Sequence, residues 1–287
     1  MTVTPPDALP AAPKNRTIMR PATVKTSPRK SATWVPPLLV ALGIIAVWYL
    51  VSYVFLDEQR RFLLPPPHEI FTDAFFQPDV FSDIMVALGR TAVVALVGLA
   101  IAIVIGVAWA VAMSQARWIE RSTFPYAVIL QCIPILALVP LIGFWFGFDY
   151  PARIIVCIMI ALFPMVSNTL FGLQSVDKGQ RELFQLQKAG RWTVLTKLEF
   201  PAALPAIFAG MRISAGLAVV GAIVGDYFFR RGEPGLGSLI SNYQSRVQSA
   251  ELFAAIITAS LFGVVIFAFF GWLGKRVVGK WYDFSAN

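Results

Sequence analysis

Six long apolar runs dominate the chain, at 34–55, 87–113, 124–146, 153–171, 206–228 and 252–273. Each can cross a ~30 Å hydrocarbon core as a helix rising ~1.5 Å per residue. In lipid only helices and closed barrels satisfy every backbone polar group, and runs this long and continuous exclude barrel strands. The expected fold is therefore all-α and integral to the membrane, with six transmembrane helices. Composition agrees, because 57% of the residues are hydrophobic and 14% charged, against roughly 25% charged in soluble domains. So few charged side chains cannot cover a water-facing fold.

Loop charges set the orientation. Lys14, Arg16, Arg20, Lys25, Arg29 and Lys30 precede the first run with Asp7 alone against them. Basic residues beside spans mark the cytoplasmic side. Residues 1–33, which lack apolar periodicity, are expected to form a disordered basic cytoplasmic tail. Segment 56–86 then lies outside, with Asp57, Glu58, Glu69, Asp73, Asp79 and Asp83 against Arg60 and Arg61. Segment 176–205 lies inside with Lys178, Arg181, Lys188, Arg191 and Lys197. Six spans return the C-terminal tail, 281–287, to the cytoplasm beside Lys275, Arg276 and Lys280. The net charge of +8 thus belongs to membrane topology, and no nucleic-acid partner is expected.

Inside the spans, glycines such as Gly98, Gly106, Gly216 and Gly221 suit close helix packing. Pro134, Pro140 and Pro164 are expected to kink their helices. Cys132 and Cys157 read as small buried hydrophobes, and with His68 the lone histidine no metal site is expected. Nor is there a phosphate-binding loop, nucleophile elbow or zinc-protease motif, so no catalytic residue is assigned. Arg90, Arg212 and Asp226 sit near run ends, where snorkelling to the interface is expected. Intramembrane polar residues usually face a bundle interior or a wet cavity. Gln131, Ser167, Asn168 and Thr169 are the resulting candidates for a solute pathway, with Pro134 at a kink and Asp226 at the outer mouth. Each also fits a plain interhelical hydrogen bond.

The stretch ELFQLQKAGRWTVLTKLEFPAALP, 182–205, is the odd one: charged, proline-stopped, and set between two spans. Leu183, Phe184, Leu186 and Ala189 fall loosely on one side, and Trp192, Leu195 and Leu198 share a helix face. Pro201 is expected to end this helix and Pro205 to begin the next span.

The longer segment SVDKGQRELFQLQKAGRWTVLTKLEFPAALPAIFAGMRI resembles the cytoplasmic coupling loop of bacterial ABC importer permeases. The family pattern has Glu-Ala-Ala, a glycine six residues after the Glu, then a Leu-Pro-x-x-x-Pro-like ending. Glu182 falls on the Glu, and Pro201 and Pro205 on the ending. Leu183 and Phe184 replace the alanines, and Lys188 stands at the glycine position with Gly190 two residues later. LLPPPHEIF, IPILALVPLIGFWFGF, ALFPMVSNTLFGLQSVD and GLGSLI extend the resemblance over about 63–280, within the nitrate/sulfonate/taurine branch.

That resemblance implies a type I importer bundle over 34–280 in the bacterial inner membrane, working as a homodimer. It implies two copies of a cytoplasmic ATPase, which would bind the ATP and magnesium, and an extracytoplasmic substrate-binding protein. The chain itself would hold no cofactor and would not be an enzyme. Glu182, Leu183, Phe184, Lys188, Ala189, Gly190, Arg191 and Trp192 would contact the ATPase. VGDYFFRRGEPGLGSLI departs from the acidic pattern of nitrate and taurine members, which tilts the expected solute toward a heterocyclic or aromatic compound. The rival reading is an ATP-independent carrier or channel.

Overall fold

Pro134 decides the shape of the third apolar run. The residue before a proline is pushed out of the α region, and Ile133 is extended at φ −65°, ψ 127°. In the computed structural model, which describes residues 35–229 and 232–279, the run is accordingly two helices. α4 (Arg117–Cys132) and α5 (Ile135–Phe146) meet at 98°. The run expected as one continuous span at 124–146 is thus interrupted and bent far beyond a kink, the geometry of a broken span or of a re-entrant loop. The tails at 1–33 and 281–287, Lys280, and the Arg230–Arg231 pair lie outside the described residues.

The chain divides into two compact units, the first ending at Ile45 and the second starting at Ala46. The described part of the first unit is the opening of α1 (Val35–Leu50), an apolar helix with no buried residue. In the second unit a π-helical turn, Val51–Phe55, carries α1 on. A 3₁₀ turn (Glu58–Leu63) and α2 (Pro67–Ile70) follow. Ser52 Oγ donates to Leu64 O at 2.9 Å and Trp48 Nε1 to Pro65 O at 3.1 Å, pinning this connection to the end of α1.

α3 (Pro78–Gln115), α6 (Tyr150–Gln174), α9 (Phe200–Phe229) and α11 (Ser249–Val278) are the long helices of that unit. Among the described residues five helical stretches are long and apolar enough to cross a membrane, or six with the bent α4–α5 pair as one span. α6 is the central helix, packed on α3 and α9. Small residues allow the approach: a Cβ on Gly98 would lie 2.7 Å from Cys157 Cβ, and one on Gly221 2.8 Å from Cys157 Cα. Gly216, by contrast, has no atom within 4 Å of an added Cβ, so it is not a packing glycine within this chain.

Pro201 does not end its helix. α8 (Arg191–Val194), a π-helical turn (Leu195–Glu199) and α9 form one 39-residue stretch. The π turn rewires the hydrogen bonds just ahead of Pro201, where an α-helical pattern would need its missing N–H. Further along, α6 runs unbroken through Pro164, with Ser214 Oγ of α9 donating to Ala161 O at 2.7 Å.

Candidate functional site

α7 (Lys178–Leu186) is an isolated amphipathic helix between α6 and α8. It ends in a Schellman turn, with Ala189 N donating to Phe184 O at 3.0 Å and Lys188 N to Gln185 O at 2.9 Å. That turn demands a left-handed residue, usually glycine, and Lys188 supplies it at φ 52°. The left-handed residue is therefore Lys188, the position where the resemblance has glycine, while Gly190 is unstrained at φ −67°.

The apolar residues of this segment do not share one buried face. Phe184 and Ala189 are half-buried, whereas Leu183, Leu186 and Trp192 are 54%, 82% and 74% exposed. Glu182, Lys188, Gly190 and Arg191 are exposed beside them. The eight residues expected to act together thus lie on one short segment, α7 to the start of α8. Arg181 ties that segment to the bundle. Its Nη2 reaches Glu199 Oε1 at 3.3 Å and donates to Leu173 O at 3.1 Å. Both contacts line a polar cavity of about 420 Å³ with Ser114, Gln115, Arg117 and Glu120.

At the other end of the bundle, the Asp226 side chain does not reach the protein surface. It is buried on α9 against Arg153 of α6, with Arg153 Nη1 at 2.8 Å from its Oδ1. Its carboxylate also accepts from Ser238 N at 2.6 Å and Ser238 Oγ at 2.8 Å, and from Gly235 N at 3.3 Å. The turn between α9 and α10 (Leu236–Ser245) is thereby fastened. Thr91 Oγ1 accepts from Leu236 N at 2.9 Å, Arg153 Nη1 donates to Glu233 O at 3.0 Å, and Arg90 pairs with Glu233 at 3.0 Å. The snorkelling expected of Asp226 is overturned, because four backbone and side-chain donors already satisfy it inside the protein.

The remaining polar candidates are spread out. Gln131 and Pro134 are exposed at the α4–α5 break. On α6, Asn168 Nδ2 donates to Pro164 O at 2.8 Å, and Ser167 Oγ to the same carbonyl at 3.4 Å. Thr169 is fully buried, and its hydroxyl has no hydrogen-bond partner among the described residues. Ser167 lies fourteen residues beyond Arg153, ~21 Å along the helix, so Asp226 and the Ser167–Thr169 group are not one site.

Residues 98–279 match the family described as the binding-protein-dependent transport system inner membrane component. The chain belongs to this family. The permease is similar to the aliphatic sulfonates transport permease protein of Escherichia coli, at 31% identity over 80% of this chain and 85% of that one. It is also similar to a formylaminopyrimidine transport permease protein of Halalkalibacterium halodurans, at 29% identity over 84% and 93% of the two chains. A riboflavin transport system permease protein of Chloroflexus aurantiacus is 32% identical over 58% of this chain, and the match spans 62% of that protein. The permease is thus a multi-pass inner-membrane transport subunit, as the six apolar runs and the loop motif led one to expect.

Three residues of the permease escaped the sequence reading: Arg153, Arg181 as a tie, and Thr91. Arg153 opens the fourth run and Asp226 closes the fifth, at ends that antiparallel helices bring level. Opposite charges at such paired ends are the signal that could have found them.

Proposed function

We propose that the permease is the membrane subunit of an ATP-driven importer, working as a homodimer with both termini cytoplasmic. α7 and the start of α8 act as its coupling element. They dock on a cytoplasmic ATPase, two copies per transporter, which binds ATP and magnesium. An extracytoplasmic binding protein delivers the solute. The observation that carries this reading is the exposure of Leu183, Leu186 and Trp192 on the charged segment that runs from α7 to the start of α8. Large apolar side chains left exposed on a charged segment mark a contact surface, and the occupant proposed for it is the ATPase.

ATP-driven closure of the ATPase pair pushes the two α7 segments together, and the long helices follow. A ligand or partner shifts such an equilibrium only through contacts that differ between the two states. Arg181 lies where α7 meets α6 and the base of α9, and is well placed to carry that difference inward. Gln131, Pro134, Ser167, Asn168 and Thr169 are the proposed pathway residues. Asp226 holds the α9–α10 turn at the outer end of that pathway rather than meeting solute.

The solute proposed is a small organic compound, with a heterocycle or aromatic favoured over nitrate or taurine. The riboflavin and formylaminopyrimidine relatives support that preference. A pull-down of the tagged chain from its host tests the coupling, with Glu182→Arg and Trp192→Ala beside the wild type. A co-purifying ATPase activity that both variants lose is the expected result. A wild-type chain that transports solute without an ATPase would overturn the proposal.

A further inference from the structure

The furrow between α9 and α11 has a charged end and an apolar end. At the end nearer α7, Arg212, Lys275, Phe208, Phe267 and Phe270 line a cavity of about 400 Å³. The Arg212 guanidinium sits 3.9 Å above the Phe267 ring. It also packs on Gly271, where an added Cβ would come 3.4 Å from Arg212 Nε. Among the described residues neither Arg212 nor Lys275 reaches a carboxylate at ion-pair distance.

Phe267 also borders a second cavity, of about 540 Å³, that continues the furrow along Val220, Ile223, Ile240 and Ile256. The one hydroxyl on its wall, Ser260 Oγ, is already donated to Ile256 O at 2.9 Å. Nothing there would hold a polar solute. From Arg212 to Ile223 the furrow follows eleven residues of α9, ~16 Å. That is about half of a ~30 Å hydrocarbon core, the depth of one leaflet.

We propose that this furrow binds one anionic phospholipid, its headgroup phosphate held by Arg212 and Lys275 and an acyl chain lying along the apolar wall. Basic clefts between transmembrane helices suit acidic headgroups, and cations within membrane spans are usually paired. A second copy of the chain fits less well. The carboxylates of the long helices are paired, as Asp226 and Glu199 are, or lie at the opposite end, as Asp79, Asp83 and Glu251 do. None stands level with Arg212.

The site is independent of the solute and of ATPase docking, so its failure and theirs are separable. The test uses the purified transporter in phosphatidylcholine nanodiscs that carry spin-labelled phosphatidylglycerol, read as the immobilised fraction against spin-labelled phosphatidylcholine. Wild type should prefer phosphatidylglycerol, and Arg212→Gln/Lys275→Gln should lose roughly thirtyfold in that preference. Gly216→Leu should lose it as well, because its side chain enters the furrow without a clash while both cations remain. Should the charge variant not fold, Gly216→Leu decides alone. Equal preference in wild type and Gly216→Leu would overturn the proposal, as would displacement of the label by inorganic phosphate. A Ser260→Cys cross-link joining two copies across the furrow would overturn it too.

Discussion

Arg153 and Asp226 form an ion pair at 2.8 Å with both residues 2% exposed, joining the start of α6 to the end of α9. Breaking a buried pair leaves one charge uncompensated and costs about 3–5 kcal/mol. Arg153→Met should destabilise by that order, and Asp226→Leu at least as much, since the Gly235 and Ser238 donors are orphaned too. The double variant should lose clearly less than the sum of the two. Thermal unfolding of the detergent-purified variants checks this, and additive losses would show that the two charges are not coupled.

Lys188 and Val247 are the non-glycine residues at positive φ among those described, at 52° and 59°. Each closes a Schellman turn, the second through Gln248 N to Tyr243 O at 2.9 Å. The left-handed region costs an L-residue about 1–2 kcal/mol, partly offset by the chain entropy of glycine. Lys188→Gly and Val247→Gly should therefore each stabilise by up to about 1 kcal/mol, the β-branched Val247 gaining more. Gly190→Ala, with open space around it, should change little. Hydrogen exchange of the backbone amides near 186–189 and 245–248 reads the difference.

How much of this was legible in the sequence depended on range. Apolar runs reveal spans because lipid forbids anything else at that length, and the runs at 153–171, 206–228 and 252–273 correspond to α6, α9 and α11. The break at Pro134 was underestimated, because a local rule gives a kink and the angle comes from what each half packs against. Pro201 was misread for a similar reason, since a π turn three-dimensionally absorbs what the sequence presents as a stop. The exposed Leu183 and Leu186 could not be told from half-buried Phe184, because amphipathic spacing gives a face without saying what covers it. The Arg153–Asp226 pair joins residues 73 apart in the chain, and one sequence carries no direct record of such a contact.

Glycine contacts separate positions that look alike in the sequence. A Cβ on Gly237 would meet the backbone at Ile223 O and Tyr227 N, and one on Gly221 the backbone of Cys157. Backbone cannot rotate away as a side chain can, so Gly237→Ala and Gly221→Ala should each cost at least the ~1–3 kcal/mol of core overpacking. Gly89→Ala and Gly216→Ala have nothing within 4 Å and should be silent. Folded yield by fluorescence-detected size exclusion distinguishes the two groups.

Arg181 offers the sharpest separation of docking from coupling. Its side chain points back to Glu199 and Leu173 O, while Leu183 and Leu186 of the same helix face outward. Arg181→Met should leave the outward surface in place, so the ATPase should still bind and hydrolyse ATP. The pair is partly exposed on the arginine side, and screened pairs contribute at most about 1 kcal/mol to stability, so the fold should survive. What should fall is solute moved per ATP, by about fivefold or more if the tie carries a coupling energy of the usual size. Glu199→Gln should act in the same direction, and the exchange Arg181→Glu/Glu199→Arg should recover part of the loss. Transport and hydrolysis measured in the same proteoliposomes decide the matter. If both rates fall in step and the ATPase dissociates, Arg181 shapes the docking surface and does not transmit.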